Sequence, residues 1–493
     1  MTIGQTAIVP PEIPNWIAGA QRPAQGGKLF DKLNPHDGQK LCQVARSGRE
    51  DIAEAVQAAK AARPRWSALP PVQRGNILHT ICNAMEARRE EIARIVRLET
   101  GKSFKDALGE TEGAIACGRF FAGEGQRLFG RTIPSAAPGK YNFTIRQPCG
   151  VAGLIVPANT PIANVAWKIF PAMICGNSVV LKAAEDTPAT AWIVAAIAQE
   201  AGLPRGVLDV VQGFGPEAGQ PLVEHEDVAV VSFTGSTAVG KLLAEIAARR
   251  LAKISLELGG KNPFVVCDDA DLEYAVRWVC LSAFSNAGQR CAAGSRIIVF
   301  DTIYDRFRDM LVEATGALKL GPEDGDHLGP VINERQLNRM LTAIDLAEGA
   351  GARVLIGGRR LTDPSHAAGF YMAPTLIDNV APDDEISTRE LFGPITCLYR
   401  ARDFNQALQL ANNSPYGLTA CIHTRSLDRA LQFCYEVQAG VAVVNAGTHG
   451  SEPHIPFGGL KQSGNSSREP GTEALDIYSN LKNICLNVDP RRI

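Results

Sequence analysis

The pattern of apolar and polar positions changes character near residue 150. Before it, apolar residues recur at helical spacing over 51–63 and 72–98, predicting two helices, with Gly101 as the C-cap of the second. The polar stretch 127–146, broken by Gly130, Pro134, Pro138 and Gly139, predicts an excursion or hairpin. From Gly150 onward, short β-branched runs alternate with helical stretches. Strands are expected at 151–156, 178–182, 207–211, 228–233 and 253–257, with helices from 162, over 188–201, near Pro216 and over 238–249. A second alternating series places strands at 264–267, 296–299, 353–356, 395–399 and 441–444. Strands that alternate with helices pair in parallel through right-handed crossovers, which predicts two doubly wound α/β units joined near residue 260.

Composition narrows the function classes. The 493 residues are 45% hydrophobic and 21% charged, with 50 basic against 52 acidic side chains, so neither nucleic acid nor an anionic membrane is an expected partner. No apolar run approaches the roughly 20 residues that span a bilayer, and residues 1–10 lack the basic and apolar regions of a signal peptide. Twelve cysteines include no C-x-x-C pair, and Cys175, Cys267 and Cys421 sit inside apolar runs. That usage predicts reduced thiols in a cytoplasmic protein, without disulfides or zinc. His449 and His454 are the one close histidine pair, on a proline-containing loop, and no metal is expected.

One cysteine has neighbours that a core position does not need. Cys291 follows Gly288, Gln289 and Arg290 and precedes two alanines, which suits a thiol at a crowded turn, open to a ligand. A nearby cation or helix N-terminus would favour the reactive thiolate. Glu257, between two leucines and before two glycines, ends a predicted parallel strand. There it is either a desolvated general base or the partner of Lys261. Asn159 lies where strand 151–156 meets a helix, and is either an oxyanion donor or a plain N-cap. No clean G-x-G-x-x-G is present. Gly213-Phe-Gly215, running on to Gly219, and Phe233-Thr-Gly235-Ser236 each stand between a strand and a helix, and either cradle phosphate or serve the backbone alone. Glu185, after Lys182 at a strand end, can accept from ribose hydroxyls and would repel a 2′-phosphate.

These segments occur in a fixed order: Pro157-Ala-Asn159, Lys182 with Glu185, Phe233-Thr-Gly-Ser236, Glu257-Leu-Gly-Gly260, Gly288-Gln-Arg-Cys291, Glu390-Leu-Phe-Gly-Pro394 and Pro456-Phe-Gly-Gly-Leu-Lys461. In that order the chain resembles the NAD(P)-dependent aldehyde dehydrogenase superfamily, in its hydrolytic, non-acylating branch. The resemblance implies two Rossmann-like domains, one cofactor-binding (1–127 and 148–259) and one catalytic (260–460), plus a β-hairpin oligomerisation arm (128–147 and 470–493). It implies that Cys291 attacks the aldehyde, Asn159 holds the oxyanion and Glu257 activates the hydrolytic water. Lys168 and Glu469 match a buried pair that can relay protons from Glu257, or an ordinary structural ion pair. For NAD, with NADP possible, it implies contacts from Lys182, Glu185, Gly215, Gly219, Phe233, Gly235, Ser236, Leu258, Glu390 and Phe392. A homodimer or homotetramer follows from the arm, whose lone strand pair would expose unpaired edges.

Three departures bear on substrate. Ala158 and Thr160 stand where the common motif has Trp and Phe, Ala183 replaces a proline, and Gly113 occupies a position often filled by a bulky apolar residue. The site is therefore expected to be roomier and more polar, for a semialdehyde or another functionalised or aromatic aldehyde. Arg290 either meets a substrate carboxylate or is incidental. The competing readings are a CoA-acylating relative, a cysteine hydrolase, which would need a histidine near Cys291, and a catalytically dead binding protein.

Overall fold

The strands Val151–Ile155 and Ser178–Lys182 are buried at every position, as strands covered by helices on both faces must be. In a computed structural model, which describes residues 8–489, they lie at the centre of a seven-stranded sheet. Its order is Lys253–Glu257, Val228–Thr234, Val151–Ile155, Ser178–Lys182, Leu208–Val211, Asn15–Ile17 and Ala20–Arg22. The first five strands are parallel, and the two N-terminal strands extend the sheet antiparallel. The chain reverses its direction of travel across the sheet between Val151–Ile155 and Val228–Thr234. A crevice for ligands is expected beyond the carboxyl ends of that pair.

A second seven-stranded sheet runs Arg353–Ile356, Thr375–Asp378, Ile395–Ala401, Gly294–Phe300, Asn262–Val266, Thr419–His423 and Val441–Val444. Only its first strand is antiparallel to its neighbour. Both sheets are doubly wound, as the alternating pattern implies. The polar stretch after residue 127 becomes a hairpin: Lys140–Pro148 pairs residue for residue with Ser479–Asn487, and Thr132–Ile133 adds a short third strand.

The elements differ from the sequence expectation in several places, among them a long helix, Phe104–Glu124, that the sequence did not announce. The helix expected over 72–98 is two, Pro71–Ala87 and Arg89–Thr100. Neither Gly nor Pro marks the break; Arg88 leaves helical geometry and its guanidinium forks to Glu91 and Glu200. Gly101 does cap the second, at φ 77°. The helix expected near Pro216 is present but short, a π-helical turn, Gly215–Gly219, leading into the α-helix Gln220–Glu224. The strands Thr375–Asp378 and Thr419–His423 were not legible, nor were the N-terminal strands, three of which, Glu12–Ile13, Leu29–Leu33 and Lys40–Ala45, form a separate small sheet.

All twelve cysteines are free thiols. No described helix is long and apolar enough to cross a membrane. Among the described residues, no group of three or more His, Cys, Asp or Glu is placed to hold a metal ion. Residues 1–7 and 490–493, at the ends of the expected domain boundaries, lie outside the described residues.

Candidate active site

Only residues 258–261 separate the end of Lys253–Glu257 from the start of Asn262–Val266. The carboxyl edge of the first sheet therefore faces the amino edge of the second, and the sequence-singled residues gather in that seam. Cys291 belongs to the second side. It lies on the loop between the short turn Ser285–Gly288 and the strand Gly294–Phe300, not at a helix N-terminus. That loop is fastened by Asn262, whose Nδ2 donates to the carbonyls of Cys291 at 2.7 Å and Ala293 at 2.9 Å. Gly260 passes so close to the Cys291 carbonyl that a Cβ there would collide with it. Cys291 packs against the cluster of Ala292, Leu418 and Phe457, as do Trp167 and Val441, and the rings of Trp167 and Phe457 meet at 5.8 Å.

The thiolate expected from a neighbouring cation is not the resting state. Burial pushes the Cys291 thiol up to about 12, and the carboxylates of Glu390 and Glu257 add to the rise. The Ala292 N–H and the Arg290 guanidinium oppose it without overcoming it. The correction is physical: the expected cation is present, but two acids and the loss of water outweigh it.

Glu257 is 5% exposed, and neither carboxylate oxygen has a hydrogen-bond partner. Lys261, the alternative partner, does not pair with it. Burial raises the Glu257 carboxyl well above its ordinary value, Glu469 raises it further, and Lys168 and Arg468 pull the other way. The segment 456–464 closes over it. Gly464 bridges to Glu257 through the backbone, the Leu258 N–H donates to the Ser463 carbonyl at 2.9 Å, and a Cβ at Gly458 would stand 2.8 Å from Glu257 Oε1. Lys168 and Glu469 do form a buried pair, at 2.7 Å, on the helix Pro161–Ile174 and the loop after residue 464. Glu469 also accepts from Ser232, Ser255 and Tyr478.

Asn159 is not the N-cap; Thr160 holds that place and makes no side-chain cap. The Asn159 amide instead donates to the Gln289 carbonyl at 3.0 Å, two residues before the nucleophile. That leaves its second amide hydrogen free to face a reacting oxygen.

The proposed cofactor residues line the crevice of the first sheet. Lys182 Nζ meets Glu185 Oε2 at 3.1 Å beyond the end of Ser178–Lys182. Burial alone would raise the Glu185 carboxyl, but Lys182, a backbone N–H and Arg335 outweigh it and hold it below its usual range. Gly215 has open space where a Cβ would stand, and Gly219 sits within van der Waals distance of Ile155 and Lys182. Ser236 starts the helix Thr237–Ala248 without spending its hydroxyl on a cap. Phe233 and Leu258 are mainly core residues, the first packed over Gly235 and the second against Gly240. Glu390 lies against Gly259, accepts from the Gly260 N–H at 3.0 Å, and is pushed up to about 7 by burial against the pull of that N–H and Lys261. Phe392 follows on the same loop with φ 58°.

Sequence reasoning missed four residues that hold the site. Asn262 carried a signal, an asparagine opening an apolar strand, where that residue is disfavoured. Asn286 donates to the carbonyls of Asn159 and Gln289, both at 3.2 Å. Lys102 and Glu110 pair beneath the Asn159 turn. Lys102 and Glu110 are distant from Asn159 in sequence with no motif to reveal them, and Asn286, though near Cys291, reveals its reach to Asn159 only in the fold.

The model of the aldehyde dehydrogenase family matches residues 21–484. An alpha-ketoglutaric semialdehyde dehydrogenase of Bacillus subtilis is 41% identical over 95% of this chain and 97% of its own. A human retinal dehydrogenase 2 is 37% identical over 94% and 90% of the two chains. The crystal structure of a betaine aldehyde dehydrogenase from Staphylococcus aureus in complex with NAD+ superposes with a TM-score of 0.95 at 33% identity, covering 97% of this chain and 95% of that one. On its sequence, its two doubly wound sheets and these likenesses over nearly its whole length, the chain belongs to the aldehyde dehydrogenase family.

Proposed function

We propose that the protein oxidises a functionalised aldehyde, a semialdehyde or an aromatic one, to the carboxylic acid with NAD+, using Cys291 as nucleophile. The observation that carries this reading is the meeting across the seam of the Cys291 thiol, whose pKa is raised by burial, Glu390 and Glu257, with the buried Glu257 carboxylate, which has no hydrogen-bond partner. A thiol beside an unpartnered carboxyl is placed to hand it one proton, since only one of them is readily ionised at a time.

Each residue then has one task. As the Cys291 sulfur bonds to the aldehyde carbon, its proton leaves toward Glu257. The carbonyl oxygen gains the negative charge, and the free hydrogen of the Asn159 amide donates to it; a preorganised donor of this kind contributes roughly 3–4 kcal/mol. When bound, NAD+ supplies the hydride acceptor that turns the thiohemiacetal on Cys291 into a thioester. Once Glu257 has passed that first proton on, it takes a proton from water, the resulting hydroxide adds to the thioester carbon, and the carbon–sulfur bond breaks to give the acid and a Cys291 thiolate that regains a proton from Glu257. Lys168 and Glu469 offer the route by which Glu257 passes its proton on.

The residues present fit the cofactor. The ionised Glu185 accepts from ribose hydroxyls and disfavours a 2′-phosphate, so NAD+ is preferred and NADP+ tolerated at most. Gly215 and Gly219 leave room for phosphates, and Glu390 stands ready for the second ribose. The hairpin arm, with Tyr141 and Leu481 more than 60% exposed, supports a homodimer or homotetramer.

For substrate, support comes from the semialdehyde dehydrogenase at 41% identity and from donors without acceptors near the nucleophile. Arg290 Nε and Trp278 Nε1 are buried donors without an acceptor, His449 Nδ1 is a buried ring nitrogen without a partner, and Gly113 has open space around it. A carboxylate or other acceptor on the substrate would satisfy such a wall. The test is kcat/KM for acetaldehyde against carboxylated semialdehydes and aromatic aldehydes, with NAD+ and NADP+, and with and without CoA. The expected result is at least a roughly ten-fold preference for a functionalised aldehyde, about 1.4 kcal/mol, with no dependence on CoA. A preference for acetaldehyde, or turnover only with CoA, contradicts the reading.

A further inference from the structure

The turn that presents Asn159 is held from below by an ion pair that no step of the chemistry uses. Lys102 follows the C-cap Gly101, and Glu110 lies on the helix Phe104–Glu124. Their side chains are 4% and 8% exposed and are bonded to each other. Lys102 Nζ also donates to the Asn159 carbonyl at 3.0 Å. The other Glu110 oxygen accepts from the backbone N–H groups of Ile162 at 3.0 Å and Ala163 at 3.3 Å. Glu110 thus caps the helix Pro161–Ile174 from a neighbouring helix, where its own Thr160 makes no cap.

We propose that the Lys102–Glu110 pair is the positioning device for Asn159, fixing the oxyanion donor against the Cys291 loop. The clamp has two sides. Lys102 and Asn286 hold the Asn159 carbonyl, and Asn159 and Asn286 both donate to the Gln289 carbonyl. Gln289 is itself anchored, accepting from the Ile332 N–H at 2.9 Å. With both sides made, the Asn159 amide has one hydrogen committed and one aimed. The capping by Glu110 has a second consequence: the free N–H groups of that helix are already taken, so stabilising the oxyanion from this turn falls on the Asn159 side chain. This inference rests on Asn159 being the oxyanion donor.

A double-mutant cycle separates the two claims. Glu110→Gln keeps the shape and an acceptor oxygen but removes the charge that holds Lys102. The rate of NADH formation in a single turnover should fall roughly ten- to a hundred-fold, the scale on which misplaced catalytic groups cost rate, with NAD+ affinity unchanged by calorimetry. In an Asn159→Ala background the same substitution should change that rate by less than about two-fold. Lys102→Arg, which keeps the pair but alters the reach to the Asn159 carbonyl, should reproduce the loss in milder form, and it serves if Glu110→Gln does not fold. Equal losses in both backgrounds, or none in either single variant, overturn the positioning role. An Asn159→Ala enzyme as fast as wild type overturns the oxyanion assignment itself, and the inference with it.

Discussion

Glu257 and Glu469 are 5% and 1% exposed and act on each other's surroundings, yet the protein treats their charge in opposite ways. Glu469 is met by an ammonium and three hydroxyls, from Lys168, Ser232, Ser255 and Tyr478. Glu257 is met by nothing, and burial with Glu469 nearby holds its carboxyl far above its usual range. Burial penalises a carboxylate unless donors replace the lost water. The comparison separates a carboxyl whose donors replace the lost water from one left without any, ready to take up and release a proton.

The largest expected effect comes from removing the unpartnered acid. Glu257→Gln should lower steady-state turnover by roughly 10²- to 10⁴-fold, the usual worth of a general base, and should slow the first-turnover burst of NADH as well, since the Cys291 proton loses its acceptor. A burst at the wild-type rate would mean that Glu257 acts on the hydrolytic water alone. For the partnered acid the expected effect is on folding. Lys168→Met leaves Glu469 a buried charge without its cation and should cost about 3–5 kcal/mol in chemical denaturation; a change under about 1 kcal/mol would mean the pair is relaxed by water. Smaller still, Ser255→Ala removes one of the four donors to Glu469 and should cost about 1 kcal/mol.

A pH series sharpens the same contrast. Because the native Glu257 pKa is raised, the unfolded chain releases that proton first, so the native state holds more protons between the two values. Stability contributed by protonated Glu257 is therefore present at acid pH and lost as pH rises through its elevated native pKa. Denaturation midpoints of wild type should fall across that window relative to Glu257→Gln, whose curve lacks this slope. Parallel curves would show that Glu257 is ionised at little cost. Activity should climb with pH in the same direction, since the Cys291 thiol, pushed up to about 12, must also lose its proton.

How much was legible in the sequence follows the same physics. Short apolar runs such as 151–155 and 178–182 announced the first sheet, because a fully buried parallel strand has few alternatives to such a composition. Thr375–Asp378 and Thr419–His423 hid because they bury polar residues, Thr375, Thr419 and His423, that read as loop. The break at Arg88 hid because an ion-pair fork, not a Gly or Pro, accompanies it. At the site, glycine-flanked residues stood out: Glu257, Cys291 and Glu390 each lie beside a backbone that a side chain would obstruct or crowd. Their supports did not. Lys102, Glu110 and Asn286 each reach the Asn159 turn by hydrogen bonds across more than 50 residues of sequence, which leave no periodicity to read. The state of the thiol was also out of reach, since it depends on burial and on two acids brought close only by the fold.

The nucleophile is tested most directly by Cys291→Ala, assayed for aldehyde-dependent NADH formation while NAD+ binding is followed by calorimetry. The expected result is no turnover above the uncatalysed rate, with NAD+ affinity within about two-fold of wild type. A variant that binds NAD+ and still turns over at even roughly a tenth of the wild-type rate would contradict covalent catalysis by Cys291.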